Sequence, residues 1–142
     1  MGAVAEMGAS HRKQALLLDT HALLWWWAQP DRLSPRVLAL LKDPHTTVMV
    51  SAASAWEIAT KHRIGKLPSG GTIIAQWDER ITTDGFAQLS ISSGHALRAG
   101  TLPGTHRDPF DRMLAAQSIL EATPVVSIDE ALSSLGAARI WE

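Results

Sequence analysis

The sequence predicts an α/β fold, a sandwich in which helices cover both faces of a mostly parallel sheet. Short apolar segments of strand length alternate along the chain with segments of helical periodicity, which is typical of this class. The first apolar segment, residues 15–19, is Ala-Leu-Leu-Leu-Asp. Because its apolar run is not interrupted by polar residues, it indicates a strand that is buried on both faces.

In the first half of the chain, cap and breaker residues delimit the predicted elements. Pro30 ends the first helix, and Ser34 can cap the second, with Pro35 in a first turn that needs no N–H group. Gly65 ends the third helix. After the first strand we predict a helix, a helix, a β-branched strand and a helix, over residues 22–27, 35–41, 47–51 and 54–64.

The second half continues the alternation of helices and strands. Its clearest helix opens at Asp108-Pro109, where the aspartate can cap the backbone N–H groups and the proline suits the first turn. We predict helices over 72–82, 93–99, 108–121 and 129–135, and strands over 87–91, 124–128 and 138–141.

The bulk composition indicates one globular domain. The chain has 142 residues, 46% of them hydrophobic, and no apolar run approaches the roughly 20 residues of a membrane span. Residues 1–13 are small and polar, without the apolar middle of a signal peptide, so we expect a flexible leader followed by a single domain over 14–142. Cysteine is absent, which excludes thiol catalysis and fits a cytoplasmic protein.

The formal net charge of −1 gives no basic field over the whole molecule. This disfavours a protein that coats DNA, but it leaves room for a nuclease with acids at its centre and bases at its rim. Basic residues bunch in two places, at Lys61, His62, Arg63 and Lys66 and at His106, Arg107 and Arg112. Either group can equally be a solvated surface.

Four acids are predicted to face one crevice. Asp19 and Asp129 each follow an apolar strand, and ligands of parallel sheets bind beyond the carboxyl ends of the strands. Glu57 and Asp111 lie in the first turns of helices that begin near the same edge. Carboxylates brought together repel, and Mg²⁺ or Mn²⁺ relieves the repulsion, bridges to phosphate and activates water. The acids therefore suggest a metal-dependent hydrolase acting on phosphodiesters.

Each acid also has a purely structural alternative. Asp19 can belong to a turn at the end of its strand, and Asp129 can simply cap its helix. Glu57 can be an exposed residue paired with Lys61 four positions later. Asp111 suits the third helical position because of the helix dipole alone. Position by itself leaves these alternatives open.

The residues around the four acids resemble PIN-domain ribonucleases, and in particular the VapC-type toxins of bacterial toxin–antitoxin pairs. The resemblance covers about residues 15 to 142. It is carried by residues 17–25 (LLDTHALLW), 51–59 (SAASAWEIA), 65–67 (GKL), 106–117 (HRDPFDRMLAAQ), 125–129 (VVSID) and 140–141 (IW).

This resemblance implies a PIN-like α/β/α sandwich and an RNA-cleaving enzyme. Asp19, Glu57 and Asp111 match the core metal-binding acids of the family, and Asp129 matches a fourth, more variable one. Thr20 and Ser127 match hydroxyl positions that support the site. The family further implies Mg²⁺ or Mn²⁺, an RNA substrate, a homodimer and a small antitoxin that blocks the site.

Other conspicuous residues have less specific interpretations. His21 and His106 can touch phosphate, although a structural hydrogen bond at a helix end is the simpler role. Lys61, Arg63, Arg107 and Arg112 are candidates for contact with RNA or with an acidic antitoxin residue. The run of tryptophans at 25–27 can stack on bases or cover a partner helix, and we favour the partner.

Two rival functions remain. A phosphatase or dehalogenase-type hydrolase with Asp19 as nucleophile typically needs a second acid two residues later, where this chain has His21. An inactive PIN-like interaction module is the rival that is not an enzyme, and all four acids are retained here. Metal-dependent cleavage of RNA distinguishes the nuclease from both rivals.

Overall fold

The computed structural model describes residues 14–142, so the leader predicted over 1–13 lies outside the described residues. The described part has five strands: β1 Gln14–Leu18, β2 Thr46–Ser51, β3 Ala87–Leu89, β4 Val125–Val126 and β5 Arg139–Ile140. Its helices are α1 Thr20–Ala28, α2 Pro35–Lys42, α3 Ala52–Arg63, α4 Gly70–Ala75, α5 Trp77–Thr83, α6 Ser93–Thr101, α7 Pro109–Leu120 and α8 Ala131–Ser134, with a 3-10 turn at Pro30–Arg32.

The five strands form one parallel sheet in the order β3-β2-β1-β4-β5. β1 is central, with Leu17 opposite Met49 of β2 on one side and Val125 of β4 on the other. In chain order, β2 and β3 are added on one side of β1, and β4 and β5 are added on its other side. The crevice beyond β1 and β4 is therefore the point where the strand order reverses, the usual ligand position in such sheets.

Each face of the sheet is buried by helices, which confirms the predicted α/β/α sandwich. Leu16 and Leu18 point to one face and Leu17 to the other, and all three side chains are fully buried. The first face packs against α1, α2 and the α3–α5 segment, and the second against α6, α7 and α8. Burial on both faces explains why β1 has no polar alternation.

Several predicted element bounds were wrong where a side-chain oxygen captures a backbone N–H group. β1 ends at Leu18 and α1 begins at Thr20, because the Asp19 carboxylate accepts the N–H of Ala22. α3 begins at Ala52 instead of residue 54, because Ser51 caps it. β4 ends early because the Ser127 hydroxyl accepts the N–H of Asp129 at 2.9 Å and turns the chain.

The predicted helix over 72–82 is two helices. They meet at Gln76, whose φ of −109° and ψ of 14° depart from helical values. Beyond this break, the Trp77 ring packs edge-on against Trp27, with 5.8 Å between ring centroids. The strands predicted over 87–91 and 138–141 are shorter, as is the helix predicted over 129–135. Within residues 14–142, no helix is both long and apolar enough to cross a membrane.

Candidate active site

Asp19 lies at the carboxyl end of the central strand, beside the end of β4. Its backbone N–H donates to the carbonyl of Val126 at 3.1 Å, which continues the sheet pairing by one residue. Its carboxylate accepts the N–H of Ala22 at 2.8 Å and a hydrogen bond from the Ser127 hydroxyl. Asp19 is only 6% exposed, so its charge lies largely out of water.

The electrostatics of Asp19 are dominated by burial. Burial raises the pKa of Asp19 from 3.8 to about 6, although the hydrogen bonds from Ser127 and Ala22 and the charge of His21 oppose the rise. The charge of Asp111 raises this pKa further, which shows that the two carboxylates are close enough to repel each other. Such a carboxylate is stabilised by a cation.

Glu57 projects from α3 and is 4% exposed. Its Oε1 accepts the Thr20 hydroxyl at 2.5 Å, and its Oε2 accepts the Lys61 ammonium at 2.5 Å. Ser54 lies 3.0 Å from the Thr20 oxygen. Because a hydroxyl has one hydrogen, Thr20 donates to Glu57 and accepts from Ser54. The predicted pair of Glu57 with Lys61 is therefore present, but its carboxylate is buried instead of exposed.

Ser54 is a site residue that our sequence reasoning missed. It is buried and lies three positions before Glu57, so both side chains are on one face of α3. That spacing was the available signal. Polar residues at positions i and i+3 near a helix start indicate a face that meets other polar groups.

Asp111 lies in the first turn of α7. Asp108 caps that turn, with its Oδ1 accepting the N–H groups of Phe110 at 2.9 Å and Asp111 at 3.1 Å. The Asp111 Oδ2 is 2.9 Å from His106 Nε2. Burial raises the pKa of Asp111 above its ordinary value and the His106 hydrogen bond opposes the rise, whereas the charges of Asp108 and Asp129 add to it.

Asp129 is the most exposed of the four acids and lies just after β4. Its Oδ1 accepts the N–H of Ala131 at 2.9 Å, so it holds the chain just before α8, but the N-cap of that helix is Glu130, one residue later than the structural alternative placed it. Its charge nevertheless acts on Asp111. Ser127 joins this residue to Asp19, because its hydroxyl donates to the Asp19 carboxylate and accepts the Asp129 N–H.

The structure thus places Asp111 within electrostatic reach of Asp19 and of Asp129, and connects Glu57 to this region through Thr20. In the described part of the chain, no three His, Asp or Glu side chains are already grouped to enclose a metal ion. The carboxylates instead contact hydrogen-bond donors of the protein, with Lys61 on Glu57 and His106 on Asp111.

The basic candidates differ in whether their side chains bond to other groups of the protein. Arg112 donates from Nε to the carbonyl of Ala99 at 2.9 Å, from Nη1 to that of His106 at 3.0 Å and from Nη2 to that of Leu102. Lys61 is paired with Glu57. Arg63 and Arg107 are exposed.

The tryptophans at 25–27 are partly buried and pack against the core on the first face of the sheet. Trp26 and Trp27 donate their indole N–H groups to one oxygen of Asp84, at 3.0 and 2.8 Å.

A second aromatic pair flanks the acids. Trp56, which is 52% exposed, meets Phe110 edge-on at 4.6 Å between centroids, and these residues directly precede Glu57 and Asp111.

The five-stranded parallel sheet covered by helices on both faces is the fold of a PIN domain. The PIN domain family matches residues 16–138, and the chain belongs to this family.

Two ribonucleases of Mycobacterium tuberculosis are similar in sequence. Ribonuclease VapC16 is 36% identical over 73 residues, which is 50% of this chain and 52% of that protein, so the match spans about half the length of the relative. Ribonuclease VapC22 is 29% identical over 84% of this chain and 90% of that protein.

Solved structures share the fold at low sequence identity. VapBC2 from Rickettsia felis, bound to a promoter DNA fragment, matches 91% of this chain and 100% of its own with a TM-score of 0.66 and 15% identity. The FitAcB structure from Neisseria gonorrhoeae matches 88% of this chain and 96% of its own with a TM-score of 0.59 and 19% identity.

Proposed function

We propose that this chain is a VapC-type ribonuclease, the toxin of a toxin–antitoxin pair, which hydrolyses RNA phosphodiester bonds with Mg²⁺ or Mn²⁺. The observation that carries the proposal is the buried carboxylate of Asp19 at the carboxyl end of the central strand of a PIN domain, with the charge of Asp111 acting on it. The sequence relatives, both ribonucleases by name, support the same reaction.

The donor set fits a hard divalent cation. The acids offer only oxygen ligands, and burial destabilises the charged form of Asp19, which a nearby cation would stabilise. Asp19 and Asp111 would hold the ion, with Asp129 beside them. Glu57 would join after exchanging Lys61 for the cation. When bound, the ion activates water and neutralises phosphate charge.

The protein's own residues orient these acids. The N–H of Ala22 and the hydroxyl of Ser127 fix the Asp19 carboxylate from two directions. Thr20 donates to Glu57, and Ser54 in turn holds the Thr20 hydroxyl. Lys61 pairs with Glu57, and it would be available to a phosphate oxygen if a cation took its place there.

The test is cleavage of single-stranded RNA by purified protein in Mg²⁺ or Mn²⁺. We expect cleavage that EDTA abolishes, and a loss of several orders of magnitude in Asp19→Asn, because removal of one liganding charge costs several kcal/mol of transition-state stabilisation. The matched control is Asp31→Asn, an exposed aspartate in the 3-10 turn. Full activity of Asp19→Asn, or activity in excess EDTA, contradicts the mechanism.

We further propose, on the family resemblance, that the chain is a cytoplasmic homodimer silenced by a small antitoxin. The solved structures of similar fold include a VapBC assembly. An apolar groove of about 480 Å³ between α1 and α4 suits an antitoxin helix, with Leu24, Trp25, Trp27, Leu67 and Ile73 among its lining residues.

Expression in a bacterial host tests the toxin proposal. Expression of the wild-type chain should slow growth, Asp19→Asn should not, and co-expression of the cognate antitoxin should restore growth. Growth arrest by Asp19→Asn as well as by the wild type would separate toxicity from catalysis and contradict the proposal.

A further inference from the structure

We propose that His106 is a positioning residue, which holds the Asp111 carboxylate in the orientation that binds the divalent cation. This inference rests on the metal site of the proposed function. It assigns His106 a role in the site through Asp111, instead of the contact with phosphate that the sequence also allowed.

The contact itself has a defined polarity. His106 Nε2 lies 2.9 Å from Asp111 Oδ2, and an ionised carboxylate can only accept a hydrogen bond, so Nε2 is the donor whenever Asp111 is ionised. The second oxygen, Oδ1, is left for the cation. Asp108 fixes the backbone of this turn through two N–H groups, but it does not contact the Asp111 side chain. Among residues 14–142, only His106 hydrogen-bonds to the Asp111 carboxylate.

Arg112 in turn holds the segment that carries His106. The segment between α6 and α7 has no regular secondary structure, yet two of its carbonyls, those of Leu102 and His106, accept N–H groups of the Arg112 guanidinium, as does the carbonyl of Ala99 near the end of α6. The planar guanidinium donates to these carbonyls from three separate nitrogens, whereas lysine has its donors on a single nitrogen and does not match that spread. Arg112 therefore fixes the backbone of His106 directly to α7, beside Asp111.

The two adjacent helix residues thus have complementary roles. Asp111 presents a carboxylate to the crevice, and Arg112 anchors the loop whose histidine orients that carboxylate. Groups of this kind, which contact a ligand instead of the metal, typically change metal affinity 10- to 100-fold when they are removed.

The test measures Mn²⁺ affinity directly, from the electron paramagnetic resonance signal of free Mn²⁺ titrated with the full-length protein. We expect His106→Ala to bind Mn²⁺ about 10- to 100-fold more weakly than the wild type. His106→Gln should recover most of the affinity, because its amide can donate to Asp111 Oδ2. The matched control is His45→Ala, which removes a histidine 3.3 Å from Asp43, an exposed pair in the α2–β2 turn.

A double-mutant cycle tests the part played by Arg112. Arg112→Lys should weaken Mn²⁺ binding in the wild-type background and have little further effect in the His106→Ala background, because the two substitutions disturb one chain of contacts. Equal losses in both backgrounds would show that Arg112 acts on the site without His106, and would overturn this part of the proposal.

Other results of the Mn²⁺ titration also decide whether His106 positions Asp111. Wild-type affinity in His106→Ala overturns the positioning role, as does an equal loss in His106→Ala and His106→Gln. Circular dichroism of each variant separates a loss of folding from a loss of affinity, and His106→Gln decides the question if the alanine variant unfolds. If the wild type itself binds no Mn²⁺ at millimolar concentrations, the metal site of the proposed function fails, and the role of His106 fails with it.

Discussion

The Asp19 carboxylate both caps α1 and lies buried at the candidate site, and these two features act on its charge in opposite directions. As the cap of α1 it accepts an N–H group, which favours the ionised form, whereas its burial favours the neutral form. Burial wins, and the pKa of Asp19 rises from 3.8 to about 6. Without metal the folded protein therefore holds the Asp19 proton more tightly than the unfolded chain does.

This pKa predicts how stability without metal depends on pH. The contribution of Asp19 is fully present below pH 4 and is lost as pH rises through about 6, and two pKa units correspond to about 3 kcal/mol in the free energy of unfolding. Urea unfolding in EDTA checks it. The difference between wild type and Asp19→Asn should shift by that amount against the wild type between pH 4 and 7. A difference that does not change with pH contradicts the prediction.

Asp108 and Asp111 lie three residues apart and are predicted to separate stability from activity. Asp108→Ala removes the cap of α7 and should lower the free energy of unfolding by about 0.5–2 kcal/mol while most of the RNA cleavage remains. Asp111→Asn should abolish cleavage. In EDTA its Tm should equal or exceed that of the wild type, because the pKa of Asp111 is already raised and Asn removes the repulsion. Inactivity of Asp108→Ala together with activity of Asp111→Asn would reverse the two roles.

Among the secondary-structure elements, α3 begins at a buried side-chain contact with the core. The Ser51 hydroxyl accepts the N–H of Ala53 at 2.9 Å and donates to the Gln117 carbonyl oxygen at 2.5 Å, and both Ser51 and Gln117 are fully buried. One side chain thus caps α3, which carries Glu57, and attaches it to α7, which carries Asp111. The relative position of the two acids depends on this contact.

The double role of Ser51 predicts an unusually large cost for its removal. Ser51→Ala should lower the free energy of unfolding by about 2–4 kcal/mol. The substitution removes the cap of α3 and also leaves the buried side-chain oxygen of Gln117 without its hydrogen-bond donor, and the two costs add. The matched control is Ser92→Ala at the start of α6, an exposed cap that should cost only about 1 kcal/mol. Urea unfolding of both variants checks the difference, and equal costs would show that the Gln117 contact contributes little.

For the whole molecule, the proposed cation should stabilise the fold by binding the native state alone. Mn²⁺ at 100 times its dissociation constant should add about 2.7 kcal/mol, which corresponds to a rise in Tm of about 10 °C. Asp19→Asn and Asp111→Asn should show a much smaller rise, whereas Asp31→Asn should respond like the wild type. Differential scanning fluorimetry measures all four proteins, and an equal rise in every one would indicate binding elsewhere.

The sequence alone was sufficient for features that depend on near neighbours. The uninterrupted apolar run of β1 predicted a strand covered on both faces, and the structure confirms it. Asp108 with Pro109 predicted the start of α7, because a cap and its N–H partners lie within three residues. Asp19 and Asp129 were placed at strand ends for the same reason. Their assignment to a metal remains a prediction.

The tertiary structure alone decided which distant groups meet. Thr20 contacts Glu57 across 37 positions in the chain, and Trp27 contacts Asp84 across 57. Arg112 was a candidate for RNA contact, but its guanidinium donates to three carbonyls, one at the end of α6 and two in the segment that follows it. Periodicity and caps act over a few residues and are therefore visible in the chain. Partners of a buried charge depend on the strand order, which places β4 beside β1 and brings the acids together.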